Sequence, residues 1–132
     1  MDQNLLLDGK REPEVKPPDG TAGLDLFTKC RIEAVMDGYI ATKVPRHVRD
    51  LVRLVYEWKE NLLTLYEERP SGHRYTWERT GIVRFELARY KWSVYARDEE
   101  DKWKRVDCID PAEDFERQLE LVEQDNTGLF WK

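Results

Sequence analysis

Val52-Arg53-Leu54-Val55-Tyr56-Glu57-Trp58-Lys59-Glu60-Asn61-Leu62-Leu63-Thr64-Leu65-Tyr66-Glu67-Glu68-Arg69 is the stretch that decides the fold. Val52, Leu54, Tyr56 and Trp58 fall at every second position, with Arg53, Val55 and Glu57 between them. A period of two is the mark of a strand with one buried face. Glu60-Asn61 reads as a two-residue hairpin turn. That turn sets Trp58 opposite Leu63, Tyr56 opposite Leu65 and Arg53 opposite Glu68, so the apolar faces of the two strands coincide. A slip of one residue would set Trp58 against Leu62 and Tyr56 against Thr64, mixing the faces.

A second alternating pair follows a loop expected over 70–80. Val83, Phe85 and Leu87 lead to a turn at Arg89-Tyr90, and Trp92, Val94 and Ala96 return. Leu87 then meets Trp92, Phe85 meets Val94, Val83 meets Ala96 and Arg84 meets Tyr95. Asp98-Glu99-Glu100-Asp101 makes a charged turn into a short fifth strand over Lys102 to Asp107.

Helical spacing flanks this sheet. From Leu24 to about Ile40, Phe27, Cys30 and Ala34 recur at +3 and +4, widened by Leu24, Val35 and Tyr39; they are expected to form the buried stripe. Asp25 suits the positive end of that helix and Pro45 lies past its end. The last helix is expected to begin at Pro111 behind an Asp110 cap. Phe115, Leu119 and Val122 form its stripe, and Leu129-Phe130-Trp131 beyond Gly128 is an apolar plug. Residues 1–20, with three prolines, Gly20 and many charges, are expected to be a disordered tail. The expectation is an α+β fold over a single domain, 21–132: an N-terminal helix, a five-stranded antiparallel meander and a C-terminal helix with a terminal aromatic plug.

Composition narrows the function. The 132 residues hold 22 Lys and Arg against 27 Asp and Glu, a net charge of −5, which excludes a strongly basic nucleic-acid wrapper. The charge is uneven. Residues 43–105 carry 15 basic and 11 acidic side chains, +4, whereas residues 106–132 carry 2 and 8, −6. The two cysteines, Cys30 and Cys108, and two histidines, His47 and His73, have no zinc-type spacing, and a cytosolic setting favours reduced thiols. No apolar run nears the roughly 18 residues of a membrane span, and the first residues lack a signal-peptide core. The expected location is the cytoplasm.

Val44-Pro45, the hairpin ending Tyr66-Glu67-Glu68-Arg69-Pro70, Lys91-Trp92-Ser93-Val94-Tyr95, Lys102-Trp103 and the terminal Asp125-Asn126-Thr127-Gly128-Leu129-Phe130-Trp131 together resemble an uncharacterised bacterial family, domain-of-unknown-function family 3024. The resemblance spans roughly 25–131, and the end motif is its most specific part. It implies a single domain and a bacterial origin, and it transfers no catalytic residue.

The sheet face opposite the apolar one is expected to hold Arg53, Val55, Glu57, Thr64, Tyr66, Glu68, Ile82, Arg84, Glu86, Ser93, Tyr95 and Arg97. Arg53, Glu68, Arg84, Tyr95 and Arg97 are the candidates for a ligand or partner face. Arginine offers a rigid fork for carboxylate or phosphate, and tyrosine a stacking plane. The plainer reading is a solvated face laced with cross-strand pairs. Glu57-Trp58-Lys59 spells half of a metal-nuclease pattern, but Asp50 is too near in sequence to supply the second strand. Glu67 and Glu68 point to opposite faces and cannot share a reacting group. No catalytic residue, metal set or cofactor is expected. The preferred function is a small non-enzymatic interaction or regulatory module with a protein partner and no membrane. The alternative is single-stranded nucleic-acid binding, disfavoured by the net charge and by only two tyrosines on the face, and a metal-dependent nuclease or other hydrolase comes third.

Overall fold

The computed structural model describes residues 24–72 and 75–131. The tail expected over 1–20 and His73 lie outside the described residues. Helix α1 (Leu26–Lys43) is followed by a single 3-10 turn (Arg46–Val48). Strands β1 (Arg53–Lys59), β2 (Leu62–Pro70), β3 (Trp77–Ala88), β4 (Lys91–Arg97) and β5 (Trp103–Arg105) come next, and helix α2 (Phe115–Gln124) ends the order. The strands form one antiparallel sheet in sequence order, β1-β2-β3-β4-β5.

The hairpin registers match the expected ones. Trp58 pairs with Leu63, Tyr56 with Leu65 and Arg53 with Glu68; Leu87 pairs with Trp92, Phe85 with Val94 and Arg84 with Tyr95. Both turns use left-handed backbone, at Glu60 (φ 55°) and at Arg89 and Tyr90 (φ 53° and 68°). Two consecutive positive φ values match the twist of the flanking strands, so the second turn is a two-residue hairpin. Asn61 fastens the first turn to the end of β3: its Nδ2 donates to the Leu87 carbonyl at 2.9 Å, and its own carbonyl accepts from Leu87 N at 3.1 Å.

The region between the hairpins differs from expectation. Trp77–Thr80 is strand, not loop: β2 runs on to Pro70 and β3 starts at Trp77, with Glu68 opposite Arg79 and Pro70 opposite Trp77. The register shifts between Leu65 and Tyr66, which pair with Val83 and Gly81. Ile82 is therefore an extra residue on β3, a bulge, and it turns into the core at 6% exposure instead of standing on the outer face. A bulge inverts the parity of everything before it, so Trp77, Arg79 and Gly81 join the face of Arg84.

The inner face carries the core: Leu54, Leu63, Leu65, Val83, Phe85, Leu87, Trp92, Val94 and Ala96, closed by Ile32 and Met36 of α1 and Phe115, Leu119 and Val122 of α2. Phe115 packs its ring 4.8 Å from Phe85 and 5.0 Å from Trp92, centroid to centroid, the tilted arrangement that aromatic quadrupoles favour.

The α1 stripe is a correction. Ile32 and Met36 are buried, whereas Phe27 is 79% exposed and Cys30 and Ala34 are exposed. Apolar residues run around most of this helix, so spacing alone defines two opposed stripes. The polar partners settle the choice. Tyr56 Oη donates to Asp37 and Trp58 Nε1 to Glu33, each at 2.9 Å. On the far border Tyr39 Oη donates to Glu123 at 2.6 Å and Lys43 Nζ reaches both oxygens of that carboxylate at 3.0 Å. Burial, and then the Glu123 bond, raise the Tyr39 phenol and keep it a proton donor. The helix is capped by Asp25, whose Oδ1 accepts from Thr28 N at 2.7 Å.

The α2 start is a second correction. Its cap is Asp114, not Asp110, because Ala112 is held in a backbone bridge to Trp92. Ala112 accepts from Trp92 N at 2.7 Å and donates back at 3.2 Å, which holds it beside β4 and outside the helix. Buried Gln118 donates to the carbonyls of Trp92 and Asp110, both at 2.8 Å, so the linker's polar groups are satisfied. At the other end Asp125 adopts left-handed backbone (φ 45°), and its carboxylate accepts from the amides of Leu129, Phe130 and Trp131 at 2.8–3.3 Å. Gly128 (φ +71°) makes the return turn, and Phe130 is buried as the expected plug.

Candidate binding face of the sheet

Both helices lie on the inner side, and among the described residues no helix covers the outer face. The five expected residues occupy it. Arg53 and Glu68 face each other across β1 and β2, and Arg84 and Tyr95 across β3 and β4. Arg97 shares the face, its Cδ lying beside Gly81. The inverted parity behind the bulge adds Trp77 and Arg79, and β5 adds Trp103 and Arg105, opposite Arg97 and Tyr95. Sequence reading missed these four. Gly81 inside an alternating run was the available sign of a bulge.

The added residues change the chemistry of the face. Three guanidinium groups stack on three rings: Arg53 on Trp77 at 3.5 Å, Arg79 on Tyr66 at 4.7 Å and Arg84 on Trp103 at 4.7 Å from the centroid. Each is a cation held over the negative face of an aromatic quadrupole. Gly81 is required by this packing, since a Cβ there would stand 2.7 Å from the Trp103 ring. Trp103 reaches across β4 and lies against the β3 backbone.

Charge is compensated unevenly across the face. On the β1–β2 side Arg79 binds Glu57 at 2.6 Å and Glu68 at 2.9 Å, and Arg53 lies 3.4 Å from Glu68. The two carboxylates raise the Arg79 pKa further, so this guanidinium is permanently charged. On the β3–β5 side Arg84 donates through Nε to Thr64 Oγ1 at 2.9 Å and has no carboxylate partner among the described residues. Tyr95 Oη donates to Glu86 at 2.8 Å, and burial, then that bond, raises its pKa. Among the described residues the carboxylate beside Arg105 is the exposed Asp107, 3.9 Å away. Arg97 forms an ion pair with Asp101, so the five arginines of the face stand against Glu57, Glu68 and Glu86 with Asp101 and Asp107 at its edge, and Arg84 is the one with no carboxylate partner among the described residues.

The weaker candidates do not assemble. Glu57 is held by Arg79, and Asp50 sits past the 3-10 turn before β1. Glu67 pairs with Arg69 at 3.1 Å while Glu68 points the other way, as strand parity requires. Among the described residues no group of three or more His, Cys, Asp or Glu could hold a metal ion. His47 is exposed, and Cys30 and Cys108 are exposed free thiols. Among the described residues no helix is long and apolar enough to cross a membrane.

No curated protein and no solved structure matches the chain. A family model, described as Domain of unknown function (DUF3024), matches residues 24–132, and the chain belongs to that family.

Proposed function

We propose that the chain is a non-enzymatic binding module whose working surface is the outer face of the sheet, and that its partner is anionic. The observation that carries this reading is Arg84. It sits on the central strand, half-buried between Trp103 and Thr64, and no carboxylate faces it among the described residues. A guanidinium kept in place by a ring and a hydroxyl, with no counter-charge of its own, offers its remaining N–H groups to an anion. Elsewhere on the face each carboxylate is already engaged, Glu57 and Glu68 by Arg79 and Glu86 by Tyr95. Among the described residues of the face that leaves no unengaged carboxylate pair for general acid–base work, which favours binding over hydrolysis.

Retention on immobilised heparin tests the reading. The protein is expected to bind at low salt despite its net charge of −5, and the Arg84→Ala/Arg105→Ala double variant to elute much earlier. Arg31→Ala/Arg117→Ala, which removes the same charge from the helices, is expected to elute like the parent. No retention, or equal losses from the two double variants, contradicts the assignment.

A further inference from the structure

We propose that the anionic partner is a single-stranded nucleic acid, laid across the sheet with unpaired bases against its rings. This rests on the preceding reading of the outer face and deepens it. Three observations narrow the ligand beyond a polyanion.

The first is the rings. Tyr66, Trp77, Tyr95 and Trp103 stand on β2, β3, β4 and β5, so four successive strands each present one aromatic side chain on the same face. Rings spread in this way over an open surface are the usual means of holding bases without reading their edges. A carboxylate-rich peptide or a simple polyanion has no planar groups to match them. The guanidinium planes of Arg53, Arg79 and Arg84 lie over Trp77, Tyr66 and Trp103, so at these three positions a base stacks on the outer guanidinium plane or displaces it from the ring, and Tyr95 carries no such cover among the described residues.

The second is shape. Five strands at the usual spacing make a shallow surface on the order of 19 Å across. A duplex hides its base faces and meets such a surface only through its backbone. An extended single strand exposes both phosphates and base faces to it.

The third is charge segregation. The arginines gather on the outer face, whereas Glu116, Glu120 and Glu123 lie on α2 at the other side of the sheet. A polyanion approaching this chain meets net negative charge on α2, whereas on the sheet Arg84 carries no carboxylate partner among the described residues, so the sheet is the favoured side even at a net charge of −5. The two tyrosines legible in the sequence were too few for this assignment, and Trp77 and Trp103 complete it.

The test is fluorescence anisotropy of a labelled oligothymidylate of about 15 nucleotides, its duplex with oligoadenylate, and inorganic polyphosphate as competitor. The expected result is binding to the single strand at least ten-fold tighter than to the duplex, weakening steeply with salt. Trp103→Leu and Trp77→Leu, each checked for an unchanged thermal transition, are expected to weaken it by about ten-fold, a larger loss than the same variants show in heparin retention. Heparin retention lost with Arg84→Ala/Arg105→Ala, together with oligonucleotide binding that is absent, no tighter than to the duplex or indifferent to both tryptophans, overturns the nucleic-acid assignment and leaves the anion-binding face standing. Failure to bind either heparin or oligonucleotide overturns both.

Discussion

The two faces of the sheet are made by the same strands, one residue out of step, and they are built on opposite principles. The inner face packs Phe85, Trp92 and Phe115 ring against ring and excludes water. The outer face keeps its rings half-exposed and stacks guanidinium groups on them. Its ion pairs, partly exposed on the arginine side, contribute on the order of 1 kcal/mol each or less. They add little to folding, whereas the contact of Trp103 with Gly81 is closely packed.

Four perturbations would break or sharpen this contrast. Trp92→Ala removes the largest buried side chain of the inner face, and is expected to lower stability by about 3–5 kcal/mol in urea unfolding. Gly81→Ala inserts a Cβ where Trp103 now lies, and should cost about 1–3 kcal/mol while restoring mobility to that indole. An unchanged stability would mean that Trp103 is not pressed onto β3. Arg84→Ala is expected to change stability by less than about 1 kcal/mol yet to shift heparin elution, and a large loss of stability would make Arg84 a structural residue. The smallest effect concerns acid. Hydrogen bonds from the amides of Lys102 and Glu100 hold the Asp98 carboxyl below its ordinary value. A lowered folded-state pKa stabilises the turn above the usual carboxylate range and loses that contribution as the pH falls through the folded value. Amide exchange at Glu100 and Lys102, corrected for its intrinsic pH dependence, should show this turn opening there before the hairpins do.

The hairpin registers were legible because alternation over seven or more residues leaves one pairing in which both apolar faces agree. The α1 face was not. Phe27, Cys30 and Ala34 fit a helical stripe as well as Ile32 and Met36 do, and only the bonds from Tyr56 and Trp58 to Asp37 and Glu33 distinguish them. The α2 start was misplaced because Asp110-Pro111 is a good local opening that the Trp92–Ala112 bridge overrides. The candidate face was half legible. Arg53, Glu68, Arg84, Tyr95 and Arg97 follow from parity, but Trp77 and Arg79 lie behind a bulge that reverses parity, and Trp103 gains its place through the missing side chain of Gly81.

The account stands most directly on which tryptophans feel a bound anion. The chain has five, at 58, 77, 92, 103 and 131, and their indole N–H signals can be followed singly by NMR during titration with a short heparin fragment. The account predicts that Trp77 and Trp103 shift in step with the Arg84 side-chain Nε–H, while Trp58, Trp92 and Trp131 stay in place. Shifts confined to Trp58 and Trp131, beside the helices, would contradict it and move the working surface to the other side of the sheet.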